Sequence, residues 1–191
     1  GGEANLEIEG RMLDYLGTHS PIPFPAVLHA EPGLLIMHFI ENDGHMNGQV
    51  QSDLAVLLTR QHQVTQGRFG LSFDTLIGGL EQPNPLTVDW ITFFRDHRLL
   101  YMAQQAANCG RLPGHFLSRI EILSAKLGGL LPSGCKPSLL HGDLWGGNIL
   151  CQQGKIAGLV DPAVYFGDRE IELSFGTLFG DLTPAFFDRY S

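Results

Sequence analysis

Positive charge is what this sequence has least of. Twelve Lys and Arg stand against 20 Asp and Glu, a net charge of -8 at pH 7, and the only lysines are Lys126, Lys136 and Lys155. No basic block occurs, which argues against a nucleic-acid partner, because phosphate backbones are held by clustered Lys and Arg. An acidic chain leans weakly toward cationic or neutral ligands. Cysteine is scarce as well. Cys109, Cys135 and Cys151 show no C-x-x-C spacing, and an odd count argues against a disulfide framework and for a reducing compartment. No apolar run approaches the ~18 residues that would cross a bilayer. Gly1-Gly2-Glu3-Ala4-Asn5 has neither the basic nor the apolar region of a secretory leader. The expectation is a cytoplasmic protein without membrane or nucleic-acid partners; nothing here reads out its oligomeric state. With 43% hydrophobic and 17% charged residues, 191 residues can bury a sizeable core as one domain or two unequal lobes.

Leu6, Met12, Leu13 and Leu16 allow an amphipathic helix over 4–16, stopped by the breaker run Gly17-Thr18-His19-Ser20-Pro21. Two strands are expected next, over 26–29 and 34–40. The second is nearly all apolar, as a strand buried on both faces should be. Helices follow over 49–64, 87–107 and 115–127. Thr87 is the expected N-cap of the second, and Trp90, Phe93, Phe94, His97 and Tyr101 form a core stripe behind it. The Gly- and Pro-rich stretch 67–86 reads as irregular. Ser138-Leu139-Leu140 leads into His141-Gly142-Asp143. Residues 148–151 and 156–160 read as a hairpin about Gln153-Gly154, ending at Asp161-Pro162. A helix should start near Glu170, and Thr183-Pro184 looks like an N-cap with proline at the first helical position of a pattern that runs to Ser191.

Phosphoryl transfer to an alcohol needs a carboxylate to take the hydroxyl proton and oxygen ligands to hold Mg²⁺ against the phosphates. His141-Gly-Asp143-Leu-Trp-Gly-Gly-Asn148 supplies an Asp and, five residues on, an Asn. That is the spacing of a kinase catalytic loop, with Asp as base and Asn as metal ligand. Asp161 closes an apolar strand where a second metal-binding carboxylate should sit. A lone D-x-x-x-x-N carries no weight; the ordered set of strand, H-G-D, Asn, hairpin and strand-terminal Asp carries much more. The competing reading is a polar turn that merely caps strands.

The segment H-G-D-L-W-G-G-N, followed by D-P-A-V-Y-F-G-D-R-E-I-E-L, resembles the fructosamine kinase (ketosamine-3-kinase) family, a branch of the aminoglycoside and choline kinase-like fold. Trp145 after Asp143-Leu144 separates this branch from its aminoglycoside relatives. Phe69-Gly70, Ile77-Gly78-Gly79, Gln82-Pro83-Asn84, Asp89-Trp90, Phe93-Phe94 and Arg98-Leu99 also match, so the resemblance runs from about Leu6 to the C-terminus. It implies an α+β, protein-kinase-like two-lobe fold, with a partial N-terminal lobe over 1–44 and a mostly helical C-terminal lobe over 45–191. It further implies ATP and Mg²⁺ as cofactors and a ketosamine, free or protein-bound, as acceptor, phosphorylated at the sugar C3 hydroxyl so that the adduct is destabilised. Residue by residue, Asp143 is similar to the catalytic base, and Asn148 and Asp161 to the Mg²⁺ ligands. Glu9 resembles the glutamate that pairs with a phosphate-binding lysine. Met37, His38 and Ile40 look like the adenine-reading hinge, with Leu150 on the nucleotide side. A buried strand that runs out into a loop should indeed leave N–H and C=O groups for a flat base. Trp145 resembles a substrate-site aromatic on which a sugar ring packs, with core filling as the alternative. Glu172 resembles the acidic residue that braces the catalytic loop, and His141 one that orients it.

Two departures accompany the resemblance. No glycine-rich loop and no lysine-bearing strand precede Glu9, Lys126, Lys136 and Lys155 lying too far along the chain to replace that lysine, and the sequence stops before the family's expected final helices. The chain is therefore expected to be part of something longer. Glu9 is accordingly expected to be unpaired or partly exposed. Alternatives are a kinase for another small hydroxyl substrate (aminoglycoside, choline or homoserine) and a catalytically incomplete pseudokinase. A bimetal phosphoesterase is set aside, since its sites need more histidines in motifs than occur here and Asn148 precedes Ile149 rather than His.

Overall fold

The computed structural model describes residues 5–44 and 46–190. Four features read from the sequence fall on residues outside that range: the leader residues Gly1–Ala4, the first residue of the first helix, the start of the C-terminal lobe at His45, and the end of the last helical pattern at Ser191.

Helix α1 (Leu6–His19) buries Met12, Leu13 and Leu16 and runs three residues past its expected stop. Thr18 Oγ1 donates to the Asp14 carbonyl at 2.9 Å, and His19 Nδ1 pairs with the Tyr15 carbonyl at 2.7 Å, so the supposed breakers satisfy the last turn with their own side chains. The helix ends at Ser20, held extended at ψ 145° by the proline that follows. Strands β1 (Val27–Glu31) and β2 (Leu34–Met37) pair antiparallel, and α1 packs on the hairpin. Here the expectation of a strand reaching Ile40 and buried on both faces is corrected. β2 ends at Met37, and Leu34 and Ile36 are 44% and 45% exposed. An apolar composition reports what a strand could bury; among the described residues only one layer covers this one.

Helix α2 (Gly48–His62) starts at Asn47, whose side chain accepts from the Gln49 and Val50 amides at 3.0 Å each. Its Val50, Leu54 and Leu58 stripe joins a core with Leu144, Ile149, Leu159 and Phe186. The stretch read as irregular is ordered. It holds β3 (Thr75–Ile77) and β4 (Leu80–Gln82), joined by Gly78-Gly79 at φ +53° and +81°, a turn that glycine makes without strain. Gln82 Nε2 donates to Thr75 Oγ1 and to the Ala163 carbonyl, tying this hairpin to the chain beyond Asp161.

Helix α3 (Trp90–Phe94) is capped by Asp89, which accepts from the Thr92 amide at 2.7 Å, and not by Thr87, which pairs with Phe69 through the backbone. A π-helical turn over Arg95–Leu100 joins it to α4 (Tyr101–Asn108), so the predicted single helix is interrupted. Trp90 and Phe93 lie in the core with Phe69, Leu140 and Tyr165, as the stripe predicts, while His97 and Tyr101 stay half-buried. Helix α5 spans Gly114–Ser124.

Strands β5 (Ser138–Leu140) and β8 (Tyr165–Gly167) pair antiparallel and frame the segment between them. Within it, β6 (Ile149–Gln152) and β7 (Lys155–Leu159) form the expected hairpin, with Gln153 and Gly154 at φ +51° and +78° in the turn. Helix α6 (Arg169–Leu178) is capped by Asp168, and α7 (Pro184–Phe187) follows Thr183. The α+β class stands, with helices packed around short antiparallel pairs.

Gly10 is where α1 meets β1, because a Cβ there would lie 2.5 Å from Ala30 Cβ. Gly17, on the same helix, faces open space. Gly10→Val should lower stability by about 1–3 kcal/mol through overpacking. Gly17→Ala should raise it by roughly 0.5–1 kcal/mol by restricting the unfolded chain. Thermal unfolding of the two variants checks both signs.

Candidate active site

The chain leaves β5 at His141 and turns at Gly142, φ +86°, where a Cβ would sit 2.0 Å from the Ala163 carbonyl oxygen. Only glycine fits. His141 fixes the turn from inside. Its carbonyl accepts from the Ala163 amide at 2.8 Å, its Nε2 donates to the Val160 carbonyl at 3.0 Å, and its Nδ1 accepts from the Asp143 amide at 3.3 Å. Those two ring bonds define a neutral imidazole with its proton on Nε2. Complete burial pushes its pKa down, and its three hydrogen bonds hold the turn in place. Beneath it, Glu172 on α6 accepts from the Gly142 amide through Oε1 at 2.7 Å, while Oε2 lies 2.8 Å from His62 Nε2. His62 Nδ1 pairs with the Tyr190 hydroxyl at 2.7 Å.

Asn148 converges with both aspartates. Its Nδ2 donates to the Asp143 carbonyl at 2.8 Å, to Asp143 Oδ2 at 3.1 Å and to the Asp161 carbonyl at 3.4 Å. The amide nitrogen is thus engaged, and Oδ1 is left for a ligand. Asp161 has φ +51°, a left-handed conformation that costs an aspartate on the order of 1 kcal/mol and gathers at functional sites. Burial, opposed by the Asn148 and His141 contacts and assisted by Asp161 and Glu172, raises the Asp143 carboxyl above its ordinary range. Glu9 on α1 is likewise raised, first by burial and then by the charge of Asp161. Among the described residues no cation lies within ion-pair distance of Glu9.

These carboxyls create a negative field that a cation would relieve. Among the described residues no three His, Cys, Asp or Glu side chains cluster as a metal cage. Asn148 Oδ1 and the Asp161 carboxylate offer two oxygen donors. Mg²⁺ commonly takes one or two from a protein and the rest from phosphates and water, so the donors fit that ion.

Met37, His38, Ile40 and Leu150 all line one cleft of 540 Å³, with Leu35 and with Val160, which leads directly to Asp161. The His38 amide is not open to a ligand, because it donates to the Ala26 carbonyl at 2.9 Å. Among the described residues the amides of Phe39, Ile40 and Glu41, two to four residues beyond the end of β2, have no hydrogen-bond partner.

Trp145 does not line that cleft. It is 39% exposed, its ring packs tilted by 52° against Phe179 with centroids 5.8 Å apart, and it covers Gly147, where an added Cβ would strike the ring. Simple core filling does not suit a ring so open. Two participants escaped the sequence reading: His62, and Asp181, which accepts from the Gly146 amide at 2.7 Å. Neither sits in a local pattern that could have revealed it, whereas Gln82 belongs to a matching motif that was given no role.

The sequence model of the family described as fructosamine kinase matches residues 6–191. A probable ketoamine kinase of Enterococcus faecium is 36% identical over 166 residues, covering 84% of this chain and 57% of that protein. The crystal structure of a Haemophilus somnus protein assigned as a fructosamine-3-kinase superposes with a TM-score of 0.84 at 28% identity, covering 98% of this chain and 64% of that one. An aminoglycoside-3'-phosphotransferase of type VIII shares the fold, with a TM-score of 0.61 at 20% identity over 100% of this chain and 73% of that one. This chain thus spans a little over half the length of the curated relative and under two thirds of the first crystal structure. With the family match reaching from α1 to the last residue, the chain belongs to the fructosamine kinase family.

Proposed function

We propose that the native protein transfers the γ-phosphoryl group of ATP to a ketosamine, at the C3 hydroxyl of the sugar, and so labilises glycated amines. The observation that carries this reading is the convergence of Asp143, Asn148 and Asp161 at the end of an apolar cleft. The cleft suits adenine, a flat apolar ring with polar edges, and the open amides from Phe39 to Glu41 suit those edges. Asp143 accepts the hydroxyl proton as the acceptor oxygen bonds to the γ-phosphorus and the bond to the β–γ bridging oxygen breaks, releasing ADP. Asn148 and Asp161 would hold Mg²⁺, which neutralises phosphate charge when bound. Trp145 offers an exposed face to the sugar. The division into a nucleotide-side lobe over 1–44 and a catalytic lobe over 45–191 is part of the same proposal.

A second observation favours low activity of the 191-residue chain taken alone. Glu9 has no cation among the described residues, and a gripped, aligned phosphate supplies much of the rate. Positioning contributes up to ~7–11 kcal/mol to catalysis. Turnover by this chain should therefore fall orders of magnitude below the ~1–100 s⁻¹ usual for kinases. A coupled ADP assay with a fructosyl-amine reads this directly.

In the native protein, Asp143→Asn should lower kcat by roughly 10²–10⁴-fold and leave the KM for ATP within a few fold. Turnover surviving within a few fold would remove Asp143 from the mechanism. The wild-type acid limb should lie above the ordinary aspartate range. The base must be ionised, and its raised pKa means activity is lost on acidification earlier than for an exposed carboxyl. Trp145→Ala should raise the acceptor KM by roughly 3–10-fold, and the KM for ATP less, through lost stacking. Equal effects on both KM values, with a lower melting temperature, would make Trp145 a packing residue only.

A further inference from the structure

The turn from Trp145 to Asn148 carries two residues of the proposed site, yet its middle is Gly146-Gly147, which has no side chains to stiffen it. Its stiffness comes from far along the chain. Asp181, in the loop between α6 and α7, accepts from the Gly146 amide through Oδ2 at 2.7 Å, and its carboxylate fills the space beside Gly146, where a Cβ would lie 2.5 Å from Oδ1. A hydrogen bond to an ionised acceptor is about twice as strong as a neutral one. Asp181 is itself anchored on two elements. Gln51 of α2, fully buried, donates from Nε2 to the Asp181 carbonyl at 2.6 Å and accepts from the Thr183 amide at 3.3 Å. The Leu182 amide bonds the Gly176 carbonyl of α6 at 3.0 Å. Within the turn, the Asn148 amide donates to the Trp145 carbonyl at 3.0 Å, so a displacement at Gly146 moves both residues. Phe179, the ring against which Trp145 packs at a tilt, is two residues before Asp181.

Resting on the kinase reading above, we propose that Asp181 is a positioning residue of the catalytic turn. Its carboxylate sets the pose of Trp145 and Asn148 and thereby the alignment of acceptor and metal ligand. Glu172 holds the amide before Asp143, and Asp181 holds the amide three residues after it, so the base lies between two carboxylate clamps.

The test compares Asp181→Ala and Asp181→Asn in the native protein by three readouts: acrylamide quenching of tryptophan fluorescence, steady-state kinetics with a fructosyl-amine, and melting temperature. Trp90 is 4% exposed, and subtracting the quenching of the Trp145→Phe protein isolates the signal of Trp145. Asp181→Ala should increase quenching and lower kcat by about 10–100-fold, with the KM for ATP nearly unchanged. Asp181→Asn should restore wild-type quenching and most of kcat, because an amide oxygen still accepts from Gly146. A lower melting temperature with quenching and kcat unchanged would overturn the proposal, leaving Asp181 a tether between the loop and α2. Loss of kcat in both variants with unchanged quenching would overturn it too, since charge rather than pose would then matter. If wild-type protein transfers no phosphate, the kinase reading fails, while the quenching series still decides whether Asp181 holds the turn.

Discussion

The Gly142 amide donates to Glu172 Oε1 at 2.7 Å, from a residue with φ +86° to a carboxylate that is 3% exposed. Little could replace it. A side chain at 142 would strike the Ala163 carbonyl, and a lost acceptor would leave a buried amide unsatisfied, at about 1–3 kcal/mol. The second oxygen of Glu172 meets His62, which meets Tyr190, so one carboxylate ties the His141–Asp143 turn to α2 and to the residues after α7. Elements distant in sequence are thereby locked at one backbone position, and Asp143 is the next residue.

From that fixed point the site is built by opposing forces on three carboxyls. Burial and mutual repulsion raise Asp143 and Glu9, while the Asn148 amide and the orienting His141 favour the Asp143 anion. Asp161, held left-handed, is exposed and directly follows Val160, which lines the cleft. A cation bound beside these carboxyls would relieve that repulsion. The Asn148 amide, spent on both aspartates, fixes which way its oxygen must point.

What the sequence discloses is what is encoded locally. H-G-D with an Asn five residues on, a hairpin turning at Gln153-Gly154 and an Asp closing its second strand are all short-range patterns, and the structure brings them to one place. Thr18 and His19 mislead, because residues that break helices by propensity can extend one by bonding back to it. The β3–β4 hairpin hides behind the Gly and Pro around it, and the π-helical turn at Arg95–Leu100 has no composition of its own. Exposure of β2 could not be read, since Leu-Leu-Ile-Met is equally apolar whether one layer covers it or two. His62 and Asp181 act on residues 110 and 35 positions away, a distance over which a single sequence carries no signal.

Phosphorus NMR of the native protein with MgATP and fructosyl-lysine tests the proposed transfer most directly. The expected result is a new phosphomonoester resonance coupled to the proton on sugar C3, growing in step with ADP. ADP accompanied only by inorganic phosphate, or ATP left unconsumed, would contradict transfer through the Asp143 turn to a ketosamine hydroxyl.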